Sequence, residues 1–206
     1  MNRKELQIYL QDLEDRIDPD VEDQLKRDWI DFWQQKTEQP IFTPNRSQKH
    51  PPAIDWPDSP VNEVFKSKKA LRISVNDTFE NDELMVLQQL KSCSDMLAAG
   101  SGQLMSVRSN YGTGILPSLF GADLFYMDKE LNTLPTSKPI AGGREEIRKI
   151  VDRGVPRIDT ALGKKALDMT SKYIELFKDY PKVAKYVSIY HPDCQGPMDC
   201  VELLYG

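Results

Sequence analysis

The stretch that decides the fold is LMSVRSNYGTGILPSLFG, residues 104–121. LMSVRSN predicts a short β-strand, and YGTGILPSLFG predicts a glycine-punctuated turn that leads into apolar residues. Gly112 and Gly114 allow the backbone to turn tightly. They lack the third glycine and the helix start of a dinucleotide-binding fingerprint, so nucleotide binding is not indicated.

Strands and helices alternate on both sides of this stretch. LRISVN (71–76) and YVSIY (186–190) predict further strands, and ADLFYMD (122–128) predicts a short strand outside the main sheet. Helices are predicted over 81–100, 143–154 and 159–180, and again from Pro197, while LPTSKPIAGG (134–143) reads as a loop. This order is typical of an α/β domain with a parallel sheet and right-handed crossovers.

The N-terminal part has a different character. Residues 1–38 predict a helical hairpin, with Asp18 as the N-cap and Pro19 as the first residue of the second helix. The apolar faces consist of Leu6, Tyr9, Leu10, Leu13 and Ile17 in the first helix and Val21, Leu25, Trp29, Phe32 and Trp33 in the second. Residues 39–66 form a proline-rich connector, which Ile41, Phe42, Ile54 and Trp56 are expected to anchor.

Polar residues directly follow the three main strands. They are Asn76 and Asp77; Arg108, Ser109, Asn110 and Tyr111; and the segment His191, Pro192, Asp193, Cys194 and Gln195. Parallel α/β folds place their chemistry at the carboxyl ends of the strands, so we expect the three groups to share one rim. This convergence is the strongest functional signal in the sequence.

The totals exclude several classes of function. The chain has 206 residues and a formal net charge of −5 without a basic block, which argues against nucleic acid as the main partner. The N-terminus resembles no signal or transit peptide, and no apolar run approaches the ~20 residues that span a membrane. Three cysteines at irregular spacing favour a reducing compartment, so we expect a cytoplasmic protein without a membrane partner.

Three motifs together resemble a known family. RSNYGTGILPSLFG, the later TLPTSKPI with its helices, and YHPDCQGPMDCVELLYG resemble the first half of the uroporphyrinogen decarboxylase superfamily, over roughly residues 70–206. That superfamily includes the decarboxylase of heme synthesis and methyltransferases that act with corrinoid proteins. The resemblance implies a (β/α)₈ TIM barrel, of which residues 67–206 form the first half. A closed barrel typically needs ~250 residues, which is why residues 67–206 are expected to form only part of one.

Two positions depart from the decarboxylases. The resemblance places Gly112 where those enzymes carry an aspartate that binds the pyrrole nitrogens, and glycine cannot accept these hydrogen bonds. It also places the acidic NDTFEND (76–82) where they carry arginines that pair with substrate carboxylates. We therefore do not expect decarboxylation of uroporphyrinogen itself. The methyltransferases bind zinc through residues of the later half of the barrel, so neither a metal nor another cofactor is expected on this chain.

The arginine and the histidine of the rim allow two readings each. Arg108 either binds a carboxylate or phosphate group of a substrate, or forms a salt bridge with Asp77 or Asp193 on a neighbouring strand. His191 is either a general acid or base that works beside Asp193, or a loop histidine with an internal partner. His191 and Cys194 have HxxC spacing, which a structural role or a substrate contact explains better than zinc does.

The remaining candidates are substrate-binding residues. Asn76, Asp77, Asn110, Tyr111 and Gln195 are expected to contact a small-molecule or corrinoid-linked substrate. Turn formation explains Asn110 equally well, and Gln195 is alternatively a cap on the following helix.

Two functions are expected. The resemblance implies that the chain is the N-terminal portion of a barrel enzyme of the decarboxylase or methyltransferase type, and we expect it to be inactive alone. Alternatively it is a non-catalytic binding or assembly module. A second copy, or a partner chain that supplies the C-terminal half, would then complete it, because an open sheet leaves an edge and an apolar face uncovered.

Overall fold

The structure is a computed structural model that describes residues 3–37, 44–57 and 73–206. It is a mixed structure of helices and a few short strands. The helices are α1 (Arg3–Arg16), α2 (Pro19–Trp33), α3 (Val75–Glu80), α4 (Asp82–Ala99), α5 (Ile115–Leu119), α6 (Gly143–Arg153), α7 (Ala161–Phe177), α8 (Pro181–Tyr186) and α9 (Pro197–Tyr205), with a 3₁₀ turn at Lys129–Leu131. The strands are β1 (Ser106–Arg108), β2 (Leu124–Phe125), β3 (Thr136–Ser137) and β4 (Ser188–Tyr190).

The strands described here form two small sheets. β1 and β4 are neighbours in one sheet, and β2 pairs with β3 in the other. The second pair is antiparallel, with Leu124 opposite Ser137 and Phe125 opposite Thr136. Within the described residues these strands do not close into a barrel, so the chain is α/β in content and the barrel stays a proposal.

The chain divides into two compact units. Unit 1 comprises the described residues within Met1–Ile73, Glu83–Val107 and Tyr173–Ile189. Unit 2 comprises Ser74–Asp82, Arg108–Lys172 and Tyr190–Gly206. All eleven residues predicted to form the rim belong to unit 2.

The core of unit 1 combines the apolar face of α1 with those of α4 and α8. Its members are almost inaccessible to solvent: Leu6, Leu10, Leu13, Met85, Leu87, Leu90, Leu97, Met105, Val107, Val183 and Val187. A buried polar network fixes α1 against this core. Arg16 donates to Asp12 (2.7 Å), to the Ser94 hydroxyl (2.7 Å) and to the His50 carbonyl (2.7 and 2.9 Å). The Trp56 indole donates to Asp12 at 2.9 Å, so the segment after Pro44 is anchored as expected.

In unit 2, α9 packs against α5 and α6. Ile140 donates its backbone N–H to the Leu204 carbonyl at 2.8 Å, and the Ser118 hydroxyl accepts from the Leu162 N–H at 3.3 Å. The predicted helix starts are confirmed at Pro197, which follows the N-cap Gly196, and at Pro19, which follows the N-cap Asp18.

Three local predictions need correction, and parts of two predictions lie outside the described residues. Val75 and Asn76 were expected to end a strand but begin α3, because the Ser74 hydroxyl accepts from the Asp77 N–H at 3.0 Å and caps a helix. The predicted loop 134–143 contains β3. Trp33 was placed in the core but is 75% exposed. Leu71 and Arg72 of the predicted strand, and Ile41 and Phe42 of the connector, lie outside the described residues.

Candidate functional site

Arg108 and Asp193 meet at the ends of neighbouring strands. Arg108 is the last residue of β1, and Asp193 lies three residues beyond the end of β4. Arg108 Nη1 donates to Asp193 Oδ1 at 2.5 Å, and the two side chains are 38% and 33% exposed. The ion pair to Asp193 is one of the two alternatives that the sequence left open for Arg108. It leaves the guanidinium charge neutralised but within reach of solvent.

His191 and Gln195 flank this ion pair along the chain. His191 is exposed, its Nδ1 lies 2.8 Å from the Pro192 carbonyl oxygen, and its ring stacks on Tyr190 with 4.0 Å between centroids. No hydrogen bond between His191 and Asp193 occurs in the described part of the chain. Gln195 is half-buried. The cap, which was the alternative role of Gln195, comes instead from Asp199, whose Oδ2 accepts from the Gly196 N–H at 3.1 Å.

Asn76 and Asp77 lie in the first turn of α3 rather than after a strand. Asp77 is exposed and Asn76 is half-buried. The Asn132 side chain holds the start of this helix by accepting from the Val75 N–H at 2.7 Å. The two residues belong to the same unit as Arg108, but they lie at the start of a helix and not at the end of a strand.

Tyr111 is part of the interior of unit 2. Its side chain has no exposed surface, its ring packs edge-on against Phe79 at 5.6 Å, and its hydroxyl donates to Asp82 at 3.4 Å. Burial, followed by the nearby Asp82 carboxylate, raises the pKa of the Tyr111 phenol. Asn110, one residue earlier, is half-buried. Of these two predicted contacts, only Asn110 has surface that a substrate can reach in this structure.

Lys165 is a charged residue of this unit that the sequence analysis did not single out. Its ammonium lies 4.3 Å from the centre of the Phe79 ring and 4.7 Å from that of Tyr111, and it donates to the Phe79 carbonyl. Burial lowers the pKa of the Lys165 ammonium. The sequence does contain a signal that Lys165 is partly buried. At the helical period of α7, Lys165 falls on the same face as the buried Leu162, Ala166 and Met169.

Gly112 occupies a position that disfavours a side chain. Its φ is +75°, and a Cβ built there would lie 3.1 Å from Leu134 Cβ and 3.1 Å from the Pro135 carbonyl oxygen. An aspartate at this position would be strained both by its backbone and by these neighbours. Glycine is therefore explained by the local fold.

The cysteines show no metal-binding arrangement. Within the described residues no group of three or more histidine, cysteine, aspartate or glutamate side chains is placed to hold a metal ion. Cys194 is exposed and Cys200 is half-buried, and the Cys200 thiol lies 3.7 Å from the Gln195 carbonyl oxygen. Burial raises the pKa of the Cys200 thiol, which disfavours the thiolate that a soft metal would need.

Comparisons with protein-family models, with curated proteins and with solved structures found no match. None of the described helices is both long enough and apolar enough to span a membrane.

Proposed function

We propose that this chain carries part of the active-site rim of an enzyme related to the uroporphyrinogen decarboxylase superfamily, of the decarboxylase or corrinoid methyltransferase type. In this proposal a small carboxylate-bearing substrate binds at Arg108. The observation that supports it is the ion pair between Arg108 and Asp193, which joins residues from the ends of two neighbouring strands.

The chemistry of the proposal is an exchange of anions. Asp193 Oδ1 accepts from Arg108 Nη1, a donor that a substrate carboxylate would also use, and both side chains are about one-third exposed. A partly exposed ion pair has a net stability of only ~0–1 kcal/mol, so an incoming carboxylate can replace Asp193 at little cost. Arginine then offers two parallel N–H donors to the carboxylate. His191 lies two residues before Asp193 in the sequence. It is exposed and is the candidate general acid or base.

The same residues argue against a porphyrinogen as the substrate. A porphyrinogen carries several carboxylates, whereas the segment 76–82 contributes Asp77, Glu80 and Asp82 to this unit. Clustered like charges oppose the binding of such a polyanion. Gly112 offers no side-chain acceptor for pyrrole nitrogens. A substrate with one or two carboxylates fits these charges better.

A thermal-shift and calorimetric titration with small carboxylates tests the proposal. Sodium succinate is expected to bind the unmodified chain saturably, and Arg108→Gln is expected to weaken the binding about tenfold or more. Arg148→Gln serves as the matched control, because Arg148 is an exposed arginine of α6 in the same unit. Equal binding by the Arg108 and Arg148 variants would refute the proposed role of Arg108.

The second candidate function, an assembly module, is favoured by α9. This helix has no buried residue, and Met198, Val201 and Tyr205 are 79%, 55% and 52% exposed. They lie at i, i+3 and i+7, so they share one helical face. An uncovered apolar face of this kind is typical of an interface with another chain.

Light scattering distinguishes the assembly-module hypothesis from the enzyme hypothesis. Assembly through α9 predicts a concentration-dependent dimer that the double substitution Met198→Ser and Val201→Ser dissociates. Leu131→Ser, at a residue that is 63% exposed elsewhere in unit 2, is the control and should leave the dimer intact. A monomer at all concentrations would exclude the self-assembly form of this candidate.

A further inference from the structure

Unit 2 contains a cleft whose lining includes neither Arg108 nor Asp193. It is lined by Leu119, Phe120, Gly121, Ile150, Arg153, Gly154, Val155 and Pro156, and its volume is about 260 Å³. The cleft lies between the end of α5 and the end of α6, and none of its lining residues belongs to the predicted rim.

Except for Arg153, the residues that line the cleft are apolar or glycine, but backbone groups make its accessible surface about equally polar and apolar, and its mouth is open. Ile150 is buried, and Leu119 and Phe120 are partly exposed. Gly121 and Gly154 have φ values of +94° and +81°, so the backbone itself favours glycine at both positions. A Cβ built at either glycine meets no atom within 4 Å. The two glycines therefore leave open space on either side of the entrance.

Arg153 supplies one cation to this cleft. Within the described part of the chain its guanidinium has no ion pair or hydrogen bond, in contrast to nearby Lys149, which pairs with Glu146 at 3.0 Å, and Arg157, which pairs with Asp159 at 2.5 Å. Arg153 ends α6, where the helix exposes carbonyl oxygens that repel anions. An anion at this end of the helix would therefore need the positive charge of Arg153 to offset that repulsion.

One lining side chain of the cleft is both apolar and almost fully exposed, because Val155 is 97% exposed. Covering such side chains stabilises a complex by ~25 cal/mol for each Å² of apolar surface removed from water. The ligand that fits therefore combines an apolar body with a single negative group.

We propose that this cleft binds small monocarboxylic acids with an apolar body, the class to which benzoate and hexanoate belong. The carboxylate pairs with Arg153 at the rim, and the apolar body lies against Phe120, Ile150 and Val155. This cleft and Arg108 are two different proposed sites, and a negative result for one leaves the other proposal unaffected.

Amide chemical shifts during titration test the proposal on the whole chain. Sodium benzoate, added at constant ionic strength, is expected to shift the backbone amides of Gly121, Gly154 and Val155 saturably. Benzamide, which has the same ring without the charge, is expected to bind about tenfold more weakly. Arg153→Gln should remove this difference, while Arg148→Gln, one turn earlier on α6, should preserve it.

Each alternative result overturns the proposal. Equal affinities for benzoate and benzamide in the unmodified chain would exclude the role of Arg153, whether or not the variant folds. Shifts that grow linearly without saturation, or that centre on Arg108, would show that the cleft is not the binding site.

Discussion

Arg108 Nη1 lies 2.5 Å from Asp193 Oδ1, so one ion pair joins side chains that are separated by 85 positions in the sequence. Both side chains are about one-third exposed, and solvent therefore screens their attraction. The pair contributes only ~0–1 kcal/mol to folding on general grounds. An arrangement that stabilises the fold so little is well suited to opening when a competing carboxylate arrives.

Replacement of Gly112 by alanine is expected to destabilise the chain by about 1–2 kcal/mol. The cost arises because φ at this position is +75° and a Cβ would press on Leu134 and on the Pro135 carbonyl oxygen. Chemical denaturation measures the free energy of unfolding. Gly143→Ala is a control for the backbone term alone, since φ there is +54° and a Cβ would meet no neighbour. Equal losses for the two variants would show that the contacts at Gly112 carry no cost.

Cys93 is expected to resist thiol reagents in the folded protein. It is fully buried, and burial raises the pKa of its thiol from 9.0 to about 12. A disulfide reagent at pH 8 should therefore modify the exposed Cys194 first and Cys200 more slowly, and should reach Cys93 only after unfolding. Rapid modification of Cys93 without denaturant would contradict its placement in the core.

The same thiol predicts a loss of stability at alkaline pH. Above pH 9 the unfolded chain releases the Cys93 proton while the folded chain retains it up to about pH 12. The unfolded state then binds fewer protons, so the free energy of unfolding falls as the pH rises through this window, by at most ~1.4 kcal/mol for each pH unit. The Cys93→Ala variant should lack this component, and parallel pH profiles for the two proteins would contradict the assignment.

Glu14 caps α8 from another helix of unit 1. Its carboxylate accepts from the backbone N–H groups of Lys182 (3.0 Å to each oxygen) and Val183 (2.9 Å). Glu14→Gln should cost about 1–2 kcal/mol, because an amide offers one acceptor oxygen and no charge to the helix N-terminus. The exposed neighbour Asp15 provides the control, since Asp15→Asn should change stability by less than ~0.5 kcal/mol. Similar effects of the two substitutions would argue against the cap.

Glu22 and Arg46 form the most buried ion pair of unit 1. Their atoms approach to 2.5 and 2.9 Å, and the side chains are 3% and 0% exposed. Glu22→Gln should destabilise the fold by about 3–5 kcal/mol, since it leaves a buried guanidinium without its counterion. The double substitution Glu22→Leu and Arg46→Met should cost much less than the sum of the single changes. Additive effects within ~0.5 kcal/mol would refute the coupling.

The sequence predicted those elements whose signals are local. Asp18 and Pro19 mark the start of α2, Gly196 and Pro197 mark that of α9, and both predictions are confirmed. LRISVN (71–76) predicts a strand that ends with Val75 and Asn76, the first two residues of α3. The Ser74 cap and the distant Asn132, which holds the first N–H of α3, decide in favour of a helix.

The sequence predicted which residues belong to the candidate site, but not how tertiary packing arranges them. Arg108 and Asp193 were assigned to one rim from their positions after strands, and they do meet. Tyr111 was assigned to the same rim, yet Phe79 and Lys165 enclose it from segments 32 residues earlier and 54 residues later. Such enclosure depends on tertiary packing, which a strand-and-turn pattern does not encode. For the same reason Trp33 fits the apolar stripe of α2 and is nevertheless exposed.

The most direct test of the central claim is the dissociation constant of succinate for the unmodified chain, for Asp193→Asn and for Arg108→Gln, measured by calorimetry at fixed ionic strength. If Asp193 competes with the ligand for Arg108, then Asp193→Asn should bind succinate several-fold more tightly and Arg108→Gln about tenfold or more weakly. Unchanged or weaker binding by Asp193→Asn, together with normal binding by Arg108→Gln, would contradict the account and leave the ion pair with a structural role alone.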